Sequence, residues 1–183
     1  KGGRIDELSL QKYRETLNES SNIVSLLSPD GTKNPYYAFH GWAGMKGLDE
    51  GETPNSSTIW TLKSGSILTE NSPITLSWKN NKGVIFEKTI SIDENYMFEI
   101  SQSVINGSSE NIQLYPYGNL TRNGQPDTIG FYILHEGVVG MHDGELIETN
   151  YGDIEDLSKE EITREIQQNG WIGFTDKYWM STL

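Results

Sequence analysis

The chain has 183 residues, long enough for one domain with a core of its own. Lys and Arg number 14 against 26 Asp and Glu, a formal charge of −12, which opposes phosphate backbones and anionic headgroups and so argues against nucleic acid or a charge-held membrane surface as a partner. There is no cysteine, which removes disulfides, Cys-bound zinc and thiol catalysis together.

Hydrophobic residues make up 34 %, aromatics 10 %, and the mean hydropathy is −0.55, a balance that suits a β-rich globular chain. No stretch approaches the 18 or so consecutive apolar residues of a membrane-crossing helix, and Lys1 to Leu10 lacks the apolar run of a signal peptide.

In chain order, Tyr37 to Trp42 reads as an aromatic strand carrying His40. Leu48 to Ser57 is acidic and rich in turn residues, a solvated surface loop. Ile74, Leu76 and Trp78 share one face of a strand while Thr75 and Ser77 take the other. Asn80-Asn81-Lys82-Gly83 turns the chain into a return strand with Val84, Phe86, Ile90 and Ile92 on one face. Lys88 breaks that alternation, as an edge or a bulge would. Tyr96, Phe98 and Ile100 give a third strand, and Asn106-Gly107 predicts a hairpin turn to a partner beginning at Ile112 and Leu114. Asp143-Gly144 likewise joins Phe131–Met141 to Glu145–Thr149.

One helix is predicted over Ser158 to Asn169. Ser158 and Glu161 form a capping box, Leu157 can staple against Ile162, Glu160 can pair with Arg164, and Gly170 supplies a stop. Only Leu157, Ile162 and Ile166 are apolar, so this helix should lie on the surface. From Asn169 to Leu183 the chain concentrates Trp171, Ile172, Phe174, Tyr178, Trp179, Met180 and Leu183, apolar area that calls for burial.

Signs of catalysis are weak. His135-Glu136 would form a dyad only if a bulge turned both side chains to one face of their strand, and His142 sits at a hairpin tip. The plainer reading of His40 is a core-edge histidine. The histidine spacings and the Asp49-Glu50-Gly51-Glu52 run lack a metal-ligand pattern, and no serine-nucleophile or phosphate-loop motif is present, so neither cofactor nor metal is expected. Four N-x-(S/T) sequons, at Asn18, Asn55, Asn106 and Asn119, read as chance in so Asn- and Ser-rich a chain. Trp78 fits the buried face, whereas Trp42, between Gly41 and Gly44, is the best candidate for an exposed, ligand-facing ring. The residues alone thus give antiparallel β structure in two layers with one surface helix.

The string Asn169 to Trp179 (N-G-W-I-G-F-T-D-K-Y-W) resembles the G-W-(I/L/V)-G-(aliphatic or aromatic)-T-D-K-Y-W signature of the periplasmic domain of bacterial YidC membrane-protein insertases. The opening Gly2-Gly3-Arg4-Ile5 through Leu8 is similar to that domain's first strand, and Phe131 to Tyr151 to its hairpin before a charged insert. The likeness spans nearly the whole chain, in the family's order.

The resemblance implies an all-β super-sandwich, galactose-mutarotase-like, forming a single domain over 1–183 trimmed at both ends. It also implies a membrane anchor before and a helical membrane core after, neither of them in this chain. The implied role is non-enzymatic: a periplasmic module of the bacterial inner membrane that docks onto the Sec translocon or onto nascent inner-membrane proteins. An exposed strand edge is the expected docking device, with Phe131, Ile133, His135, Glu145 and Ile147 of the hairpin, and Trp42, as partner-binding candidates. The alternative is a carbohydrate-binding or sugar-epimerase-like super-sandwich protein using Trp42 with His40 and Glu136. A structural spacer between membrane segments is the third possibility.

Overall fold

The computed structural model describes residues 1–49, 51–126, 128 and 134–183. Among these, period-2 alternation resolves into twelve strands. The first six are β1 (Leu8–Arg14), β2 (Ile23–Leu27), β3 (Tyr36–Lys46), β4 (Thr61–Ser64), β5 (Ile74–Lys79) and β6 (Ile85–Ile92). The rest are β7 (Phe98–Ile105), β8 (Gln113–Arg122), β9 (Gly137–His142), β10 (Glu145–Asn150), β11 (Gly170–Thr175) and β12 (Met180–Thr182). Their sheets are β4-β5-β6-β7, β10-β9-β11-β12, β3-β8 and β1-β2, the all-β, mostly antiparallel class that the alternation predicts. No described helix is long and apolar enough to cross a membrane.

The chain forms two compact units, one of Lys1–Ile5 with Ala38–Asn119, the other of Asp6–Tyr37 with Leu120–Leu183. The first is built on the meander β4 to β7. Its β5–β6 turn is closed by Asn80, whose Oδ1 accepts the Lys82 and Val84 amides at 3.0 and 2.9 Å while its Nδ2 donates to the Glu52 carbonyl at 3.0 Å. Asn106-Gly107, in contrast, does not open a hairpin. The Asn106 side chain accepts the Ser108 amide and donates to the Glu110 carbonyl, closing a wider loop, and β8 pairs with β3. Asx capping overrides the two-residue turn that the dipeptide favours.

Two sequence readings are corrected in this unit. Trp42 is not an exposed ring: it is 5 % accessible, edge-on to Phe86 at 5.2 Å and stacked with Trp60 at 6.3 Å, in a core with Val84. The glycine beside it signals close packing, since a Cβ on Gly41 would lie 2.8 Å from the rings of Phe39 and Tyr117. Lys88 marks neither an edge nor a bulge. It lies in an interior strand with unbroken register, opposite Leu76 and Gln102, and is 1 % accessible.

The Lys88 ammonium faces aromatic rings: Phe39 at 4.6 Å, Trp60 at 4.8 Å and Trp42 at 5.9 Å from Nζ to ring centre. It donates to the Gly3 carbonyl at 3.4 Å. Gly3 reaches that position because Gly2 and Gly3 take φ of 74° and 62°, and a Cβ on Gly2 would meet the Ser56 carbonyl oxygen at 2.9 Å. The paired glycines of the opening motif thus bring the Gly3 carbonyl to a buried cation. Burial pushes the Lys88 amine down to about 8, and its charge adds to the desolvation that lowers His40.

In the second unit, Asp143-Gly144 joins β9 to β10 as expected, both residues at positive φ, and the ladder runs from His142 opposite Glu145 to Gly137 opposite Asn150. Phe131 and Ile133, expected in the same hairpin, lie outside the described residues. The predicted helix is shorter than its signals suggest. Its capping box forms, with Ser158 and Glu161 bonded reciprocally, but α1 covers only Lys159–Ile162 and Thr163 is already extended. The Asp143 carboxylate accepts the Gln167, Gln168 and Asn169 amides, which hold those residues in a non-helical path and keep the carboxyl pKa below the usual carboxylate range. Arg164 donates to the Glu160 carbonyl rather than to its carboxylate. A 3₁₀ turn, Tyr151–Asp156, precedes α1 and had no sequence signal.

A depressed lysine pKa in the folded state means that the unfolded chain binds more protons between about pH 8 and the unfolded value of 10.5, so stability rises with pH across that window. Lys88→Met is therefore expected to stabilise the protein by about 1–3 kcal/mol at pH 7. Urea unfolding at pH 7 and pH 10 should show that gain shrinking as pH rises. A Met variant less stable at both pH values would show that the aromatic box outweighs the desolvation.

Candidate functional site

The second unit holds the two arrangements that bear on function. The first gathers Arg122 from the end of β8, Tyr151 after β10, and Asp176 after β11. Arg122 Nη1 contacts both Asp176 carboxylate oxygens at 2.8 Å and the Tyr151 hydroxyl at 2.7 Å. The guanidinium also lies over the rings of Tyr36 at 4.7 Å and Tyr151 at 5.2 Å, and Phe174 packs against both tyrosines. Desolvation pushes both tyrosine phenols up, so Tyr151 stays a proton donor to Asp176, at 3.2 Å. The Asp176 amide donates to the Trp179 carbonyl at 2.8 Å, closing the β11–β12 turn, and Trp179 sits edge-on to Tyr13 at 4.9 Å. Asp-Lys-Tyr-Trp in the C-terminal signature is thus a turn whose first residue anchors a part-buried arginine.

The second arrangement is an apolar groove of about 530 Å³ on one face of the β10-β9-β11 sheet. Register sets its floor: Ile147, Gly140 and Ile172 form one cross-strand row, and Thr149 and Val138 share the next. The row has no side chain at its centre, because Gly140 stands there, and this hollows the floor. The roof comes from the 151–169 segment, with Ile154, Leu157, Ile162 and Ile166. Ile162, Ile166 and Ile172 stay 63 %, 49 % and 58 % accessible, so the groove is open to solvent.

Beside it runs β10, at the end of its sheet and paired, among the described strands, on one side only. Its outer backbone groups are available to a further strand. Of the sequence candidates, Ile147 lines the groove, and Glu145 is exposed beside it, 3.6 Å from His142 Nε2. His135 is turned to the Val138 carbonyl at 2.9 Å, ahead of β9. Trp42 belongs to the core of the other unit and Glu136 is buried, so the exposed aromatic and acidic cluster that a sugar site requires does not form from these residues. Sequence reasoning missed Ile172 as groove floor and Arg122 as the partner of Asp176. An exposed isoleucine in the 169–183 stretch reads as core, and an arginine 54 residues from its carboxylate leaves no local signal.

A family model described as the YidC periplasmic domain matches residues 1–183. The chain belongs to the YidC periplasmic domain family. It is 50 % identical over 191 residues to the membrane protein insertase YidC of Ruegeria sp. (strain TM1040), covering all of this chain and 31 % of that protein. The YidC of Dinoroseobacter shibae is 48 % identical over 189 residues, with 100 % and 31 % covered, and that of Jannaschia sp. (strain CCS1) 50 % over 189 residues, with 100 % and 30 %. The chain spans about a third of the length of these curated relatives. In this YidC domain Asp176 and Trp179 close the β11–β12 turn, and Trp171 lines the groove.

The clamp is expected to carry much of the second unit's stability. Asp176→Asn should destabilise by about 2–4 kcal/mol in urea unfolding, because it strands a guanidinium already removed from water. Arg122→Lys should fall short of rescue, since one ammonium cannot reproduce the contacts to both oxygens and two ring faces. Changes below about 0.5 kcal/mol would place the clamp among surface ion pairs of no consequence.

Proposed function

We propose that this chain is the periplasmic domain of a YidC-type insertase and acts there by binding, not by catalysis. Its place is the outer face of the bacterial inner membrane, and its partners are extended segments of the Sec translocon or of nascent inner-membrane proteins. The observation that carries the reading is β10: a strand paired, among the described residues, on one side only, whose residue Ile147 lines an apolar groove. An added strand gains main-chain hydrogen bonds from the edge and places alternate side chains over the groove, the two ingredients of strand-addition recognition. The relatives' name, membrane protein insertase, supplies the kind of process in which such a segment is handled. Strong negative charge keeps the domain from lying on anionic headgroups while it does so.

Photo-crosslinking probes placed at Glu145, Ile147 and Thr149 of the intact protein, in membranes with an active translocon, test this. Crosslinks to a translocon subunit identify docking on the machinery, and crosslinks to newly made membrane proteins identify substrate handling. Either should exceed the signal from a control probe at Glu99. Silence along β10 in a protein that still supports insertion would overturn the reading and leave a spacer.

A further inference from the structure

The charge around the groove is not that of the chain at large. From Glu145 to Gln168, 24 residues carry eight carboxylates (Glu145, Glu148, Asp153, Glu155, Asp156, Glu160, Glu161 and Glu165) against Lys159 and Arg164. Half of the net charge of −12 thus lies on the strand and the covering segment that border the groove, and all eight acidic residues are exposed. Glu161 is tied to Ser158 by the capping box, Asp153 accepts the Asn150 side-chain amide at 3.1 Å, Glu145 stands 3.6 Å from His142, and Glu148 projects from the opposite face of β10, while Glu155, Asp156, Glu160 and Glu165 lie exposed along the covering segment. Apolar floor, open edge and acidic border therefore coincide in one place.

We propose that the groove beside β10 selects an extended peptide segment that is apolar at alternate positions and flanked by basic residues. The inference rests on the binding reading above and specifies its partner. A segment added along β10 turns every second side chain to the groove face, and one of these extends the Ile147–Gly140–Ile172 row beside Ile147. A volume of about 530 Å³ lies within the roughly 300–1,000 Å³ that enclose a ligand of several apolar groups. Lysine or arginine at the segment's ends meets the acidic border, whereas acidic ends are repelled; charge of this kind governs choice of partner and rate of encounter more than depth of binding. Anionic lipid and nucleic acid are excluded by the same border.

The test uses the intact insertase in detergent and two fluorescent peptides of alternating valine and threonine, one flanked by lysines and one by glutamates. The lysine peptide should bind at least about tenfold more tightly, and raising the salt from low to physiological should weaken it. Ile147→Asp should abolish binding. The combined Glu145→Lys, Glu155→Lys and Glu160→Lys variant, which leaves the groove lining intact, should erase or invert the preference. Equal binding of the two peptides, or indifference to the charge reversal, would overturn the basic-flank inference while leaving strand docking standing. Absence of binding by either peptide, as when another part of the intact protein already fills the groove, would overturn it too; the crosslinks from β10 would then decide the docking reading separately.

Discussion

Asp176 and Arg122 fix the geometry on which the groove-bearing face of the second unit depends. One guanidinium joins the end of β8, the residue after β10 and the turn after β11, three points far apart in sequence. A buried ion pair of this kind adds little net stability over an apolar substitute, yet losing either partner is costly. Its use here is registration. With the carboxylate held, the Asp176–Trp179 turn sets where β11 returns as β12. With Tyr151 held, the covering segment leaves β10 at a defined point, and the groove between them keeps its shape. The signature that carries the family likeness is therefore structural, and the surface that would do the work lies beside it.

An open apolar groove is a liability in water, since exposed patches of this kind promote self-association. The acidic border answers that problem and the specificity problem together. Two copies bring like charges face to face and repel, while a basic-flanked segment is drawn in. The first unit handles charge in the opposite manner. It buries a single cation, Lys88, under aromatic rings and the Gly3 carbonyl, where it holds the opening residues against the meander at some expense in stability.

Features that obey local rules were legible in the sequence. Asp143-Gly144 makes its hairpin, Asn80 closes its turn, the Ser158–Glu161 box forms, and the alternation of β5 and β6 is as the residues imply, because each depends on neighbours within a few positions. What failed depends on distant partners. The helix ends early because Asp143, more than twenty residues upstream, takes its next amides; β8 finds β3 in place of β7; and Lys88 is interior because rings from β3 and from Trp60 surround it. Glycine was ambiguous in the same way. Near Trp42 it suggested freedom, but it provides room for Phe39 and Tyr117. For the candidate site, Ile147 and Glu145 were within reach of pattern reading, whereas the groove itself, made by a glycine in mid-sheet and a returning segment, was not.

The most direct measurement of the central claim is hydrogen–deuterium exchange on the intact insertase in membranes, with and without an engaged translocon and translating substrate. If β10 accepts a partner strand, the outward amides, every second one along Glu145–Asn150, should slow on engagement, while those of β5 and β6, already paired on both sides, should not change. Unaltered exchange along β10 during active insertion, or protection confined to the first unit, would contradict the account.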